Sequence, residues 1–348
     1  MKYGSGVLHR IEAEITPGMT AREFVDLARL VEQAGFDRLG VSDVVFWPDC
    51  FVLMGLAAQA TQRVHLGPMV TNPSSRHPAV LAGIMATLQD VSQGRAFLGL
   101  GVGAGLEALD LDLSRPATRL REAITVIRGL LSGGEVDHRG DTLTVRASRM
   151  VGPVQPVPIS IGTRSPEVMR LAGEIADIAL VGGRYLSPAI AATYRQWLAE
   201  GAARAARTAA DLEVAPRLTL CCSHDGALAR RSVKRYVAHY VVLIKPAELA
   251  LDTAWMARVA AALDRSRGWY FDHDRYDDPE LDSLIDDDLV RRFAVAGTPD
   301  ECVELTREVL ELGFTSISMN LAFPARDSMA TGLRETIETF GEVLSGLR

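Results

Sequence analysis

Long apolar runs are missing from this chain. No uninterrupted stretch approaches the roughly 20 residues that a membrane helix needs, so no membrane span is expected. The opening Met1-Lys2-Tyr3-Gly4-Ser5 leads into no apolar core, so no signal peptide is expected there. Cysteine is scarce: four residues, at 50, 221, 222 and 302, show neither metal-ligand nor disulfide-framework spacing. No metal site is expected, and the thiols fit a reducing, cytoplasmic setting. Cys221-Cys222 lies in an apolar run and reads as buried packing. A basic excess is missing too. Lys plus Arg number 37 against 44 Asp plus Glu, a net charge of −7 that argues against nucleic acid as a partner. No linker composition and no short-period repeat divides residues 1–348, which read as one domain.

What is present is a regular alternation. Residues 64–103 carry the clearest unit: an apolar run over 64–70, a polar turn, a helical stretch over 77–91, and a second apolar run from 95 ending in glycines. This is strand, helix, strand, the unit of a parallel sheet. The same reading predicts strands over 3–8, 37–42, 157–161, 177–181, 212–223 and 315–319. It predicts helices over 20–34, 49–61, 115–131, 165–175, 187–207, 298–312 and 327–347, with Thr20 as a cap and Gly35 as a stop. A small hairpin is expected over 136–145. Residues 225–292 read as mostly helical, too long for one simple crossover. Eight strands, each followed by a helix, is the count of a (β/α)8 TIM barrel with an extended helical insertion between strands seven and eight. The rival doubly wound sheet draws on the glycines from 99 to 105. It lacks a helix opening at those glycines, and Arg119 stands where the fingerprint's acidic residue would be sought.

In a barrel, ligands bind at the carboxyl ends of the strands, so residues there are the candidates. Gly162-Thr163-Arg164-Ser165-Pro166 joins the fifth strand to a helix with Ser165 as its expected cap and Pro166 at its first position. Backbone N–H groups, a hydroxyl and a guanidinium in one loop suit a phosphate. Gly182-Gly183-Arg184 after the sixth strand is a second anion site of the same kind. Gly99, Gly101 and Gly103 lack side chains at the barrel mouth, which suits either a bulky ligand or close backbone packing. His77, before a proline at a helix start, reads as a neutral structural residue.

The order VTNPSSRHP (70–78), SQGR (92–95) and GLGVG (99–103) resembles the bacterial luciferase-like flavin/deazaflavin superfamily. Within it, the likeness is to the branch using coenzyme F420, including the methylenetetrahydromethanopterin reductases. GVSD (40–43), AGEIAD (172–177) and AVAGTPDE (294–301) extend it over most of the chain. The resemblance implies a luciferase-like barrel and an F420-dependent oxidoreductase that moves a hydride between the deazaflavin and a small organic substrate. FMN is the alternative cofactor; a monooxygenase using reduced FMN would need a flavin reductase as partner. A barrel that binds cofactor or metabolite without turnover is the second alternative. The resemblance also implies a homodimer.

It further assigns residues. Ser42 and Asp43 would bond the polar edge of the ring. A bulge with a non-prolyl cis peptide would lie near Met69, Val70 and Thr71, backing the ring, with Thr71 and Asn72 as hydrogen-bond donors. The phosphate would lie near the Gly162–Ser165 and Gly182–Arg184 loops. Related alcohol and sugar dehydrogenases place His, Trp and Glu where this chain has Val44, Pro48 and Ala104, and Trp47 and Glu107 fall out of register. That departure argues against their oxidation scheme and for hydride transfer at a C–N or C–C double bond. Asp43, Glu107 and His9, the last placed at the carboxyl end of the first strand, are the candidates for chemistry.

Overall fold

The computed structural model describes residues 10–103, 105–182, 185–245, 247–266 and 279–347. Its strands are β1 (Arg10–Ile15), β2 (Arg38–Val41), β3 (His65–Pro68), β4 (Leu98–Leu100), the hairpin β5 (Val136–Arg139) and β6 (Thr144–Ser148), β7 (Ile159–Thr163), β8 (Ile178–Val181), β9 (Glu213–Cys222), β10 (Val295–Gly297) and β11 (Ser316–Leu321). Outside the hairpin every ladder is parallel, in the order β3-β2-β1-β11-β9-β8-β7-β4. Bridges Leu66↔Ala96 and Thr71↔Leu100 join the two ends, so the eight strands form a ring. This is the (β/α)8 barrel expected from the alternation. The short β10 runs beside the distal half of β9, with Val295 opposite Leu220.

The helices form where caps and apolar periodicity agree. The helix α1 (Ala21–Ala34) opens on a reciprocal capping box between Thr20 and Glu23 and stops at Gly35, φ +94°. The helix α2 (Cys50–Ala60) is capped by Asp49, and α3 (Pro78–Val91) by His77, whose Nδ1 accepts from the Ala79 N–H at 3.1 Å. Next come α4 (Pro116–Leu131), α5 (Pro166–Ile175) and α6 (Pro188–Arg204). The region after β9 carries α7 (Gly226–Ile244), α8 (Thr253–Ser266), α9 (Pro279–Leu284) and α10 (Asp287–Phe293). The last helices are α11 (Pro299–Leu310) and α12 (Met329–Leu344).

The first strand corrects the sequence reading. Residues 3–8 lie outside the described residues, and the strand that pairs with β2 and β11 is 10–15. Arg-Ile-Glu-Ala-Glu-Ile does not look like an apolar run because its two faces differ. Ile11, Ala13 and Ile15 join the main core with Phe24 and Leu27 of α1 and Ile337 and Phe340 of α12. Glu12 and Glu14, one residue out of phase, point into the barrel. The interior is thus divided. One part is a small apolar cluster of Met69, Phe97, Leu180 and Ala215; the other holds buried carboxylates and guanidinium groups.

Candidate active site

At the carboxyl ends of the strands lies a cavity of about 390 Å³. Met69 and Val70 line it, and the peptide bond between them is cis, at the place the resemblance put such a bond. The bulge they form explains the glycines. A Cβ on Gly101 would stand 2.6 Å from Val70 Cγ2, one on Gly162 2.9 Å from Val70 Cγ1, and one on Gly99 2.2 Å from the Pro68 carbonyl oxygen at the start of the bulge. These strands lack side chains because the chain's own bulge occupies that space. Gly101, Gly103 and Gly162 nevertheless face the cavity, and Gly103 turns at φ +93°.

The wall formed by β1, β2 and β9 is polar. Thr16, directly after β1, and Ser42, directly after β2, meet Oγ1 to Oγ at 3.0 Å. Ser42 donates to Glu14 Oε1 at 2.6 Å. Arg217 of β9 grips both oxygens of the fully buried Glu14 through Nε and a terminal nitrogen. Thr16, Ser42 and Arg217 all line the cavity. The other carboxylates of β1 and β9 lie nearer the amino ends of the strands. Glu12 accepts from Ser318 Oγ at 2.6 Å, and Arg38 forms a two-pronged pair with Glu213. Burial pushes the Glu12 carboxyl up to about 7, against the pull of Arg38 and the Ser318 bond, with Glu14 and Glu213 adding repulsion. Glu213 is lowered: its bonds and charge attraction to Arg38 outweigh its burial, the largest single influence.

Asp43 lines the cavity beside this wall. Its Oδ2 accepts from Thr71 Oγ1 at 2.6 Å and from Arg76, whose other terminal nitrogen bonds Asp49 Oδ2 at 2.8 Å. Arg76 also sits over the Phe51 ring, 4.9 Å from its centroid. Arg76 thus anchors Asp43. An anchored carboxylate suits orientation and charge more than free proton exchange.

Opposite, on the β7–α5 loop, Thr163 Oγ1 accepts from the Ser165 N–H at 2.9 Å. Ser165 occupies the cap position of α5, but its hydroxyl makes no capping bond, contrary to the expected cap. The first turn of α5 therefore presents N–H groups and an uncommitted cap hydroxyl, as an anion site needs. Arg164 lies alongside Gly182, and all of Gly162, Thr163, Arg164, Ser165 and Gly182 line the cavity.

Other predicted residues fall elsewhere. Thr71 and Asn72 are buried and do not line the cavity. Thr71 donates to Asp43, and Asn72 Oδ1 accepts from the N–H groups of Ser74 and Ser75. Both support the wall from behind. Glu107 is exposed on a short 3-10 turn and does not line the cavity. His9, Gly183 and Arg184 lie outside the described residues; the carboxyl end of β1 is followed by Thr16, not His9. Sequence reasoning missed Thr16, Val102, Leu180, Arg217 and Tyr240, which with Val44 complete the lining. Correct placement of β1 would have found Thr16. Tyr240 comes from α7 and carried no local signal.

Comparison with known proteins agrees with this fold. Residues 1–316 match the family described as luciferase-like monooxygenase. The chain is 29% identical over 310 residues to a 5,10-methylenetetrahydromethanopterin reductase of Methanolobus tindarius, covering 87% of this chain and 91% of that one. It is 32% identical over 315 residues to an F420-dependent glucose-6-phosphate dehydrogenase of Beutenbergia cavernae, covering 85% and 86%. In fold it resembles the coenzyme F420-dependent tetrahydromethanopterin reductase of Methanopyrus kandleri, with TM-score 0.81, 24% identity, and 98% and 99% of the two chains covered.

Proposed function

The chain belongs to the luciferase-like monooxygenase family, and from that premise we propose that it is a coenzyme F420-dependent oxidoreductase acting on a small organic molecule. The observation that carries this reading is the single cavity joining an anion-suited helix start to a polar wall across the Met69–Val70 bulge. The residues fit the cofactor. Ser165, Thr163 and Arg164 would hold its phosphate, and Met69, Val70, Gly101 and Gly162 would back its ring. When bound, the deazaflavin supplies the carbon that gives or accepts hydride. The protein binds and orients. Arg76 and Thr71 hold Asp43 in place, and Leu180, Val44 and Val102 give part of the cavity an apolar lining.

Titration of the protein with coenzyme F420 and with FMN, followed by fluorescence, tests this. F420 is expected to bind. FMN binding without F420 binding would overturn the reading in favour of a reduced-FMN monooxygenase with a reductase partner. A ligand bound with no substrate-dependent redox change would favour a binding barrel.

Among the described residues no helix is long and apolar enough to cross a membrane; a cytoplasmic location is part of this proposal, as are a small-molecule substrate and no nucleic-acid partner. A homodimer is proposed as well, supported by exposed Val52 and Leu56 on α2 and Val80 on α3. Mass measurement in solution tests it.

A further inference from the structure

The hydroxyls at the polar wall have a fixed polarity. Both oxygens of Glu14 already accept from Arg217, so Glu14 takes and does not give a proton in its bond with Ser42. Ser42 has one hydrogen, and it goes to Glu14 at 2.6 Å. In the 3.0 Å contact between Ser42 and Thr16, Thr16 must therefore donate. Each hydroxyl carries one donor and two acceptor lone pairs. With both hydrogens directed inward, Thr16 Oγ1 can offer the cavity only lone pairs. Beside the donor Arg217, which also lines the cavity, this hydroxyl pair asks a ligand for an N–H or O–H.

The ring order β1-β2-β3-β4-β7-β8-β9-β11 places β7 diametrically across the barrel from β1. A ligand whose phosphate sits at Ser165, after β7, extends its far end toward Thr16, after β1. Resting on the cofactor reading above, we propose that Glu14 is a positioning residue: it holds Ser42 and Thr16 as an acceptor pair that receives the imide N–H of the cofactor ring's pyrimidinedione edge.

Glu14→Gln keeps shape but replaces one oxygen with an N–H2 group. Arg217 repels that group, so it faces Ser42 and reverses the polarity of the pair. Thr16→Val removes the acceptor while keeping the volume. Each variant is expected to weaken binding of oxidised F420 by roughly 10-fold, the scale of one hydrogen bond lost with a partner left unpaired. The double variant should bind no more weakly than either single one, because both changes break one chain of bonds. A deazaflavin methylated at the imide nitrogen should bind the unaltered protein roughly 10-fold more weakly than F420, and Thr16→Val should cost it nothing further. Losses that add in the double variant, unchanged F420 affinity in Thr16→Val, or equal affinity for the methylated ring would each overturn the proposal. The last two arms do not depend on how Glu14→Gln folds. Failure of the unaltered protein to bind F420 at all would instead count against the cofactor reading itself.

Discussion

Replacing Glu12 by Gln is expected to make the protein more resistant to unfolding at alkaline pH than at acid pH, relative to the unaltered chain. Glu12 is buried inside the barrel, bonded to Ser318, with Arg38 attracting its charge and Glu14 and Glu213 repelling it. Its carboxyl rises from an ordinary value of 4.5 to about 7. Below 4.5 both folded and unfolded chains hold the proton, and the group costs nothing. As pH rises through 4.5, the unfolded chain releases its proton while the folded one keeps it, and stability falls until the folded group also ionises near 7. At 1.36 kcal/mol per pKa unit, the loss approaches about 3 kcal/mol, of which about 2.5 kcal/mol develops between roughly pH 5 and 8. Gln keeps the volume and can still accept from Ser318, but does not titrate. Urea unfolding of both proteins at several pH values isolates the effect of Glu12 and of the charges coupled to it, because groups distant from Glu12 cancel in the difference. The gap between the two stabilities should widen by about 2.5 kcal/mol from roughly pH 5 to 8 in favour of the Gln variant. Parallel stability curves would refute the reasoning and mean that Arg38 fully compensates the buried charge.

Thr163→Ala combined with Arg164→Ala should weaken F420 binding by about 2–4 kcal/mol, at about 1.5–3 kcal/mol for a charged hydrogen bond, with the melting temperature nearly unchanged; unchanged affinity would move the phosphate site toward Gly182. Asp43→Asn should lower turnover by roughly 10- to 100-fold, the scale of a charged hydrogen bond of about 1.5–3 kcal/mol, once a substrate is known, and full activity would reduce Asp43 to a structural partner of Arg76. Gly101→Ala should destabilise by about 1–3 kcal/mol through overpacking, since its methyl would meet Val70 at 2.6 Å, and a stability equal to that of the parent would mean the bulge yields easily.

Local signals in the chain were enough for the barrel. The capping box at Thr20, the stop at Gly35, the cap at Asp49 and the apolar periods each act within a few residues, so they can be read without knowing what lies across the fold. The site loops were legible for the same reason: strand ends followed by Gly162-Thr163-Arg164-Ser165 or Ser42-Asp43 mark the cavity in one dimension. Tertiary structure alone decided the partners. Glu14 meets Arg217 across 203 positions, and Glu12 meets Ser318 across 306. These contacts turn a strand that reads as polar and interrupted into the inner wall of the barrel. Gly99 and Gly101 left open either room for a ligand or close packing, and the structure gives the space beside them to Pro68, Met69 and Val70. Arg76 anchors Asp43 across 33 positions, a pairing no local signal marks. A sequence records which groups can donate, accept or carry charge. Closing the chain into a ring sets their distances, and only then are the partners of each buried charge determined.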